Sequence, residues 1–498
     1  MANPRRPLHA LAFMLALATA TSVAAGVHDN DAAGSIIGRA LSPSPLAEDL
    51  RHLTDDVGGR VSGTPAMQRA VGLALAAFRA AGVAAHSEGY MQPLTWVEGK
   101  THLELLGDAT FPISLVSQGW SSPTPAGGIE AELVYVGDGT AEDFRQAAGR
   151  LRGSIVLVRT PVTETWTDLF NEYDSTGPVI RQAIDGGARA ILWTSARDHR
   201  LLYRHTETVA GELSALPMAM VAREDALRLA RMATRAVKPL RVRLTMPNVI
   251  GGPVEEHNVV AEIRGREMPN EIVILGAHLD SWDLGTGALD NGCNAALVIA
   301  AARAIQESGM RPRRTLRFVL FSGEEQGMLG SRAYVRQHRS ELDLTRAMIA
   351  IDGGVGRILG FDLSGRDDVR AALPAALTAL DGFGLDHLSL DGDFGTDNVD
   401  FMLEGVPTLN ASQEPATYMQ NYHAASDTFD KVDLHQLQQH VAIAAMTLFG
   451  IADLPAPLGK RLSRTEISDL LERTGLAKQM QAEGLWDAWV AGQRGREP

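Results

Sequence analysis

The sequence is almost free of cysteine, with Cys293 as the only one in 498 residues. One cysteine cannot close a disulfide within the chain, so the fold is not stapled by internal cross-links. Cys293 lies in a run of small residues, Gly292-Cys293-Asn294-Ala295-Ala296, that is typical of a packed helix start. We therefore interpret it as a structural residue and not as a nucleophile.

Positive charge is also in short supply. The chain has 46 lysines and arginines against 60 aspartates and glutamates, a formal net charge of -14. The basic residues are scattered, and the one dense group is the short Arg311-Pro312-Arg313-Arg314. An acidic chain of this kind has no overall attraction for nucleic acid or anionic lipid, so we expect neither as a partner.

The apolar run at the N-terminus is too short to cross a membrane. It extends from Leu8 to Ala20, whereas a spanning helix needs about 20 apolar residues. Arg5 and Arg6 precede it, and the small residues Val23-Ala24-Ala25 follow it. This pattern predicts a signal peptide at residues 1–25 and a secreted or periplasmic mature protein.

What the sequence does contain is ordinary globular composition, with 45% hydrophobic and 21% charged residues. From Asn258 onward, apolar strands (271–277, 315–321 and 347–351) alternate with helices at 294–307 and 329–338. Such alternation predicts an α/β fold with a mixed, mainly parallel sheet flanked by helices. The chain is too long for one compact core, so more than one domain is expected.

The middle of the chain has a different sequence pattern. Short β-like runs between residues 129 and 246 are separated by glycine-rich turns and by one predicted helix, Thr176–Asp185. This favours a β-rich domain inserted into the α/β domain. After the signal peptide, the predicted order is a first segment of the α/β domain (26–118), the inserted domain (119–253), a second segment of the α/β domain (254–455) and a helical C-terminal extension (456–498).

Possible metal ligands follow three of the predicted strands. His278 and Asp280 come after the first, Glu324-Glu325 after the second and Asp352 after the third. In open α/β sheets the ligand site forms beyond the carboxyl ends of the strands, so these side chains are expected to converge.

Two further candidates lie on loops. Asp290 falls in the glycine-rich segment before a helix, and His423 lies in Asn421-Tyr422-His423-Ala424. Singly, each candidate has an ordinary explanation, such as a helix cap for Asp290. Together, imidazoles and carboxylates favour Zn²⁺ over Mg²⁺ or Ca²⁺, which prefer oxygen ligands alone.

At these motifs the chain resembles the M28 family of metallopeptidases, and within it the carboxypeptidase Q (plasma glutamate carboxypeptidase) branch. The resemblance covers most of the mature chain, and the inserted domain looks like the protease-associated domain of that branch. It rests on these segments: His278-Leu279-Asp280-Ser281-Trp282-Asp283, Gly287-Ala288-Leu289-Asp290-Asn291-Gly292, Arg314-Thr315-Leu316-Arg317, Glu324-Glu325-Gln326-Gly327, Asp352-Gly353, Gly395-Thr396-Asp397 and Tyr422-His423 followed by Asp427-Thr428.

The resemblance implies two zinc ions per subunit held by five side chains at strand ends and on loops: His278, Asp290, Glu325, Asp352 and His423. Asp290 would bridge the two ions, and Glu324 would be the general base. Asp280 would accept the second ring N–H of His278, and Tyr422 is a candidate donor to the oxyanion. The resemblance also implies a cis peptide bond after Asp290 and suggests a homodimer.

The function that follows is a metal-dependent exopeptidase acting on dipeptides or short peptides. Two alternatives stay open, a binding ectodomain without catalysis and an acyltransferase of the glutaminyl cyclase kind with a single zinc. The complete set of ligand positions and Glu324 favour the peptidase. Whether it is an aminopeptidase, a carboxypeptidase or a dipeptidase is undecided, because the motifs do not identify which end of the peptide is recognised.

Overall fold

The computed structural model describes residues 32–107, 110–206, 208, 210–392 and 394–497, so the predicted signal peptide lies outside the described residues. The described helices are α1 (32–40), α2 (Leu46–Arg51), α3 (Pro65–Ala80), α4 (Ala141–Leu151), α5 (Trp166–Asp185), α6 (Arg223–Arg235), α7 (Cys293–Ser308), α8 (Leu329–Gln337), α9 (Asp367–Leu377), α10 (Asn398–Leu403), α11 (Tyr418–Asn421), α12 (Leu434–Asp453), α13 (Arg464–Thr474), α14 (Leu476–Ala482) and α15 (Trp486–Val490). The strands are β1 (Ala84–Gln92), β2 (Thr95–Val97), β3 (His102–Leu106), β4 (Leu115–Ser117), β5 (Ile129–Tyr135), β6 (Ile155–Val158), β7 (Ala190–Thr194), β8 (Met218–Val221), β9 (Arg241–Thr245), β10 (Val249–Gly251), β11 (Val254–Ile263), β12 (Met268–His278), β13 (Arg314–Phe321), β14 (Thr345–Ala350), β15 (Ile358–Asp362), β16 (His387–Ser389) and β17 (Thr408–Gln413).

The larger sheet has eight strands in the order β1-β11-β13-β12-β14-β17-β15-β16. Its four central strands, β13, β12, β14 and β17, are parallel. The antiparallel pairs are β1 with β11, β11 with β13 and β15 with β17, and the edge strand β16 is parallel to β15. The predicted α/β fold with a mixed, mainly parallel sheet is therefore confirmed. We call this sheet and its flanking helices, which lie in residues 32–92 and 254–453, the catalytic region, because the sequence places the candidate site residues there.

The central strands are buried on both faces, which explains their continuous apolar sequences. In β12, Val273 and Leu275 pack with helices α7 and α12 on one face. Ile272 and Ile274 point to the other face, where Tyr334 of α8 belongs to the same cluster. The period of two along the strand thus places both helical layers and leaves the strand's carboxyl end free for polar groups.

A second, seven-stranded sheet has the order β3-β9-β5-β6-β7-β8-β4 and carries α4, α5 and α6. It spans residues 102–245, which we call the inserted module, and so begins before residue 119, where the sequence places the inserted domain. The chain passes twice between this module and the catalytic region, and the two connecting segments pair as strands β2 and β10.

Helix α5 is twice as long as the sequence suggests. It begins at Trp166 and not at Thr176, because Thr165 and Asp168 form a capping box in which each side chain bonds the other residue's backbone N–H. Proline is normally confined to the first turn of a helix, so Pro178 makes the helix seem to begin near Thr176 and conceals the half that precedes it. The additional turns reach over the catalytic region.

The C-terminal extension contains helices α13, α14 and α15 and has an apolar core of its own. Leu470, Met480 and Trp489 pack with Phe394 and Leu403 in a separate apolar cluster. Beside it, Arg494 makes a bidentate ion pair of 2.8 Å with Asp400, and both side chains are buried. Among the described helices, none is both long enough and apolar enough to cross a bilayer.

Candidate active site

Three predicted site segments lie together at the carboxyl edge of the large sheet. His278 is the last residue of β12 and pairs with Phe321, the last residue of β13, so Glu324 and Glu325 follow directly beyond it. Asp352 comes two residues after β14, on the other side of β12. Because these strands are parallel and in register, their polar ends meet as predicted.

The loop that carries Asp290 is held by buried charged groups. The guanidinium of Arg60, which is fully buried, donates to the carbonyl oxygens of Thr286 (2.8 Å) and Gly287 (2.9 Å). The carboxylate of Asp427 accepts the N–H groups of the three residues that end at Asp290, at 2.7–3.1 Å. Gly287 has φ of +60°, and a Cβ there would overlap Ser281. The expected cis peptide after Asp290 is confirmed.

The five predicted ligand positions form two groups that share Asp290. In the first, His278 Nε2 lies 3.2 Å from Asp290 Oδ1 and 3.0 Å from Asp352 Oδ1. In the second, His423 Nε2 lies 3.1 Å from Asp290 Oδ2 and 3.0 Å from Glu325 Oε2. Within each group the ligand atoms all lie within 4.8 Å of one another.

These two groups fit metal ions. Glu325 Oε1 is buried and accepts no hydrogen bond from the described residues, an arrangement that costs free energy unless a cation satisfies it. Each group presents one imidazole and two carboxylates, a donor set typical of zinc. Each imidazole turns Nε2 to the carboxylates, which leaves Nδ1 for a neighbouring partner.

The electrostatics of the site are dominated by its carboxylates. Burial lowers the pKa of His423, but Glu325 and Asp290 outweigh it and raise that pKa to about 9. Burial raises the pKa of Asp290, but the hydrogen bonds from His278 and His423 outweigh it and hold that pKa below its usual range. A negative potential that stabilises charged imidazoles also favours a divalent cation.

Glu324 lines the same cavity as both groups. Its pKa is raised well above the usual range, first by burial and then by the charges of Asp352, Asp397 and Glu325. A carboxyl group with a raised pKa is a better proton acceptor near neutral pH than an ordinary glutamate.

Asp280 is buried next to His278, but its carboxylate is not the near partner of the ring. His278 Nδ1 lies 3.0 Å from the backbone carbonyl oxygen of Asp280 and 3.6 Å from its Oδ1, longer than an ordinary hydrogen bond. The carboxylate instead accepts the backbone N–H groups of Glu324 (3.2 Å) and Glu325 (3.3 Å). Asp280 therefore orients the imidazole through its main chain and holds the glutamate loop through its side chain. The sequence motif alone could not tell these two contacts apart.

Tyr422 stacks on the His423 ring, with centroids 3.7 Å apart. Its hydroxyl lies 2.8 Å from the hydroxyl of Tyr173, which belongs to α5 of the inserted module. Burial raises the pKa of Tyr422 well above its usual range, so the hydroxyl keeps its proton. It lines the cavity as the predicted oxyanion donor must.

The cavity over the two groups has a volume of about 890 Å³ and three kinds of wall. The sheet edge supplies the proposed ligands, α5 supplies aromatic residues such as Phe170 and Tyr173, and α14 supplies Lys478 and Gln479. Sequence reasoning missed the last two walls. The capping box before α5 was a usable signal for that helix, but nothing local in the sequence shows which helices lean over the site.

The comparisons with known proteins agree with this geometry. The sequence model described as peptidase family M28 matches residues 258–448. Carboxypeptidase Q of Bos taurus is 30% identical over 438 residues, covering 86% of this chain and 90% of that protein. Carboxypeptidase Q of Mus musculus is 29% identical over 410 residues, covering 82% and 85%.

Solved structures show the same architecture. The peptidase M28 precursor from Shewanella amazonensis SB2B is 29% identical, with a TM-score of 0.79 over 88% of this chain and 99% of that one. A zinc aminopeptidase from Bacillus subtilis, at 20% identity and a TM-score of 0.64, covers 84% and 97% and shares the fold.

Fold, site and relatives define the class of this protein as a metal-dependent peptidase. The chain belongs to peptidase family M28, and it is a carboxypeptidase Q-like member of that family.

Proposed function

We propose that the chain is an exopeptidase that hydrolyses dipeptides or short peptides at a centre of two zinc ions, with Glu324 as general base. The observation that carries this proposal is the pair of ligand groups sharing Asp290, with Glu324 lining the same cavity. His278 and Asp352 would complete one metal position, and Glu325 and His423 the other.

The proposed chemistry divides between the ions and the side chains. Bound in the two groups, zinc ions supply Lewis acidity and lower the pKa of a water molecule. Glu324 takes the proton of the attacking water and passes it to the leaving amine. Tyr422, protonated at neutral pH, donates to the oxyanion that develops on the scissile carbonyl.

Substitution of the proposed base tests this assignment. Glu324→Gln keeps the shape and removes the proton acceptor, so kcat for a dipeptide should fall about 10²- to 10⁴-fold while two equivalents of zinc are retained. The matched control is Glu414→Gln, because Glu414 is half-exposed and paired with Arg357. A Glu324→Gln enzyme with a near-normal kcat would rule out Glu324 as the general base. Wild-type protein that binds fewer than two zinc ions would rule out the dinuclear centre.

The peptide terminus that is recognised can be found with a panel of free, N-blocked and C-blocked dipeptides. Loss of cleavage only after N-blocking indicates an aminopeptidase, loss only after C-blocking a carboxypeptidase, and loss after either a dipeptidase. No cleavage of any member by zinc-loaded protein would overturn the peptidase proposal. Export of the mature chain and a homodimer stay predictions, which N-terminal sequencing and light scattering can check.

A further inference from the structure

The loop of His423 rests on a segment of the inserted module. Tyr203 and Ala424 form an antiparallel bridge. The Arg204 N–H donates to the carbonyl oxygen of His423 at 3.2 Å, and the Ala425 N–H donates to the carbonyl oxygen of Leu202 at 3.2 Å. These bonds hold His423 at a φ of +58°, a left-handed conformation that is unfavourable for a residue with a side chain. The inserted module therefore fixes the backbone of a proposed zinc ligand.

The same segment also meets the His423 side chain. His205 Nδ1 lies 2.8 Å from His423 Nδ1, and both imidazoles are buried. One of these nitrogens must donate and the other accept. Since His423 Nε2 faces Asp290 and Glu325, it is the nitrogen without a proton when a cation is bound. Then Nδ1 of His423 carries the proton and donates it to His205.

The surroundings of His205 suit the acceptor role. With Nδ1 accepting, its own proton is on Nε2, which lies 3.4 Å from Glu172 Oε1. Glu172 is held in turn by hydrogen bonds from Thr163 (3.0 Å) and Tyr203. A negative charge at this distance stabilises the tautomer of His205 that has a free Nδ1. The contacts thus form a series in which His423 meets His205 through the two Nδ1 atoms, and His205 Nε2, which has no aligned hydrogen bond, lies close to the charge of Glu172.

We propose that His205 of the inserted module is a positioning residue for the metal centre, accepting the Nδ1–H of His423 and so fixing the ring that turns Nε2 to Asp290 and Glu325. This inference rests on the proposed function, because it assigns a partner to one of the proposed ligands. It gives the inserted module a role in metal affinity and not only in covering the cavity.

Two substitutions of His205 separate positioning from packing. His205→Phe keeps a ring of similar size and removes the acceptor, whereas His205→Gln keeps an acceptor oxygen. Removal of such a partner typically weakens metal binding about 10- to 100-fold. We expect this loss at one of two binding steps in His205→Phe, and no more than a few-fold change in His205→Gln.

The measurement is a titration of the chelator-treated full-length protein with Co²⁺ and then Zn²⁺, followed by calorimetry and by the cobalt absorption bands. The matched control is His86→Phe, since His86 is exposed on β1. Unchanged affinities at both steps in His205→Phe would overturn the inference, as would equal losses in the Phe and Gln variants. Wild-type protein that binds no metal would instead overturn the proposed function.

A second variant covers the case in which His205→Phe does not fold. Glu172→Gln keeps the size of the side chain and removes the charge that orients His205. We expect a measurable weakening of one of the two binding steps, with cobalt absorption bands that differ from those of the wild type. If a folded Glu172→Gln protein binds both equivalents as the wild type does, the series from His423 to Glu172 has no role in metal binding.

Discussion

At the scale of single residues, two loops of the site, the one that carries Asp290 and the one that carries Glu324 and Glu325, are held by charged side chains that are not proposed metal ligands. Arg60 donates to carbonyl oxygens in the loop before Asp290, and Asp427 accepts three N–H groups there. Asp280 does the same for the glutamate loop. Because these anchors lie far along the chain from the loops they hold, the site geometry depends on the whole catalytic region being folded.

The role of Asp280 gives a prediction. In Asp280→Asn the new amide nitrogen faces a backbone N–H of Glu324 or Glu325, and two donors repel each other. The loop should shift, and kcat should fall by about 10- to 100-fold, the usual effect of losing such a partner. Steady-state kinetics measures the fall in kcat, and zinc analysis shows whether the variant keeps its metal.

Asp367→Asn is the control for this experiment, since Asp367 is exposed on α9 and pairs with Arg370. A wild-type kcat in Asp280→Asn would mean that the glutamate loop is held by its other contacts. A folded variant that has also lost zinc would indicate that the glutamate loop, which carries the proposed ligand Glu325, has shifted far enough to weaken metal binding.

At the scale of elements, α14 places the only lysine or arginine found among the described residues that line the cavity, Lys478. The ammonium group of Lys478 would pair with a free peptide carboxylate. Lys478→Ala should therefore raise KM roughly tenfold for dipeptides with a free carboxylate, about 1.4 kcal/mol, and leave KM for the amidated forms unchanged.

The control for Lys478 is Lys460→Ala, because Lys460 is exposed and bonds Glu466 away from the cavity. Equal KM values for acid and amide substrates in both wild type and Lys478→Ala would contradict carboxylate recognition by α14. The same panel reports whether the C-terminal extension contributes to substrate choice.

Helix α12 provides a prediction about pH. His440 is buried in it, and burial lowers the pKa of its imidazole to about 4. The unfolded chain takes up this proton near pH 6.5, so stability falls as pH drops from about 6.5 to 4, by up to roughly 3 kcal/mol. His440→Leu should remove this component, so the stability difference between variant and wild type should shift in favour of the variant at low pH.

Denaturant unfolding at pH 7 and at pH 5 measures that difference. His435→Leu is the control on the same helix, since His435 is exposed. If the difference in unfolding free energy between His440→Leu and wild type stays constant with pH, the pKa of His440 is the same in the folded and unfolded protein, and the prediction is wrong.

At the scale of the whole molecule, the two sheets should respond differently to metal removal. The proposed ligands all lie in the catalytic region, and the sheet of the inserted module contains none of them. A ligand at about 1,000 times its Kd stabilises the folded state by about 4 kcal/mol. Chelation should therefore lower the unfolding temperature of the catalytic region by several degrees.

Scanning calorimetry with and without chelator checks this, and re-addition of zinc should restore the transition. The transition of the inserted module should move less. If both regions shift together, the docking of the His423 loop on residues 201–206 couples them into one cooperative unit. No shift of any transition would contradict a metal centre in the catalytic region.

Much of the fold and of the site could be predicted, and the physical reason is local. Strands β12, β13 and β14 are continuous apolar runs that end in polar residues, so both their existence and the position of their ends are visible. Strand β17 (TLNASQ) and strand β1 (AAHSEGYMQ) are polar or short, and their pairing is decided by neighbours far along the chain. For the same reason His205, 218 positions from His423, could not be recognised.

The docking of the His423 loop also bears on the order in which the chain is made. Synthesis runs from the N-terminus, and domains fold as units during it. Residues 201–206 are therefore synthesised well before His423, which lies 218 positions after His205, and before the helices that follow it. A partly synthesised chain can therefore contain a folded inserted module and still lack His423, one of the proposed metal ligands. Peptidase activity is expected only after the His423 loop has docked on residues 201–206.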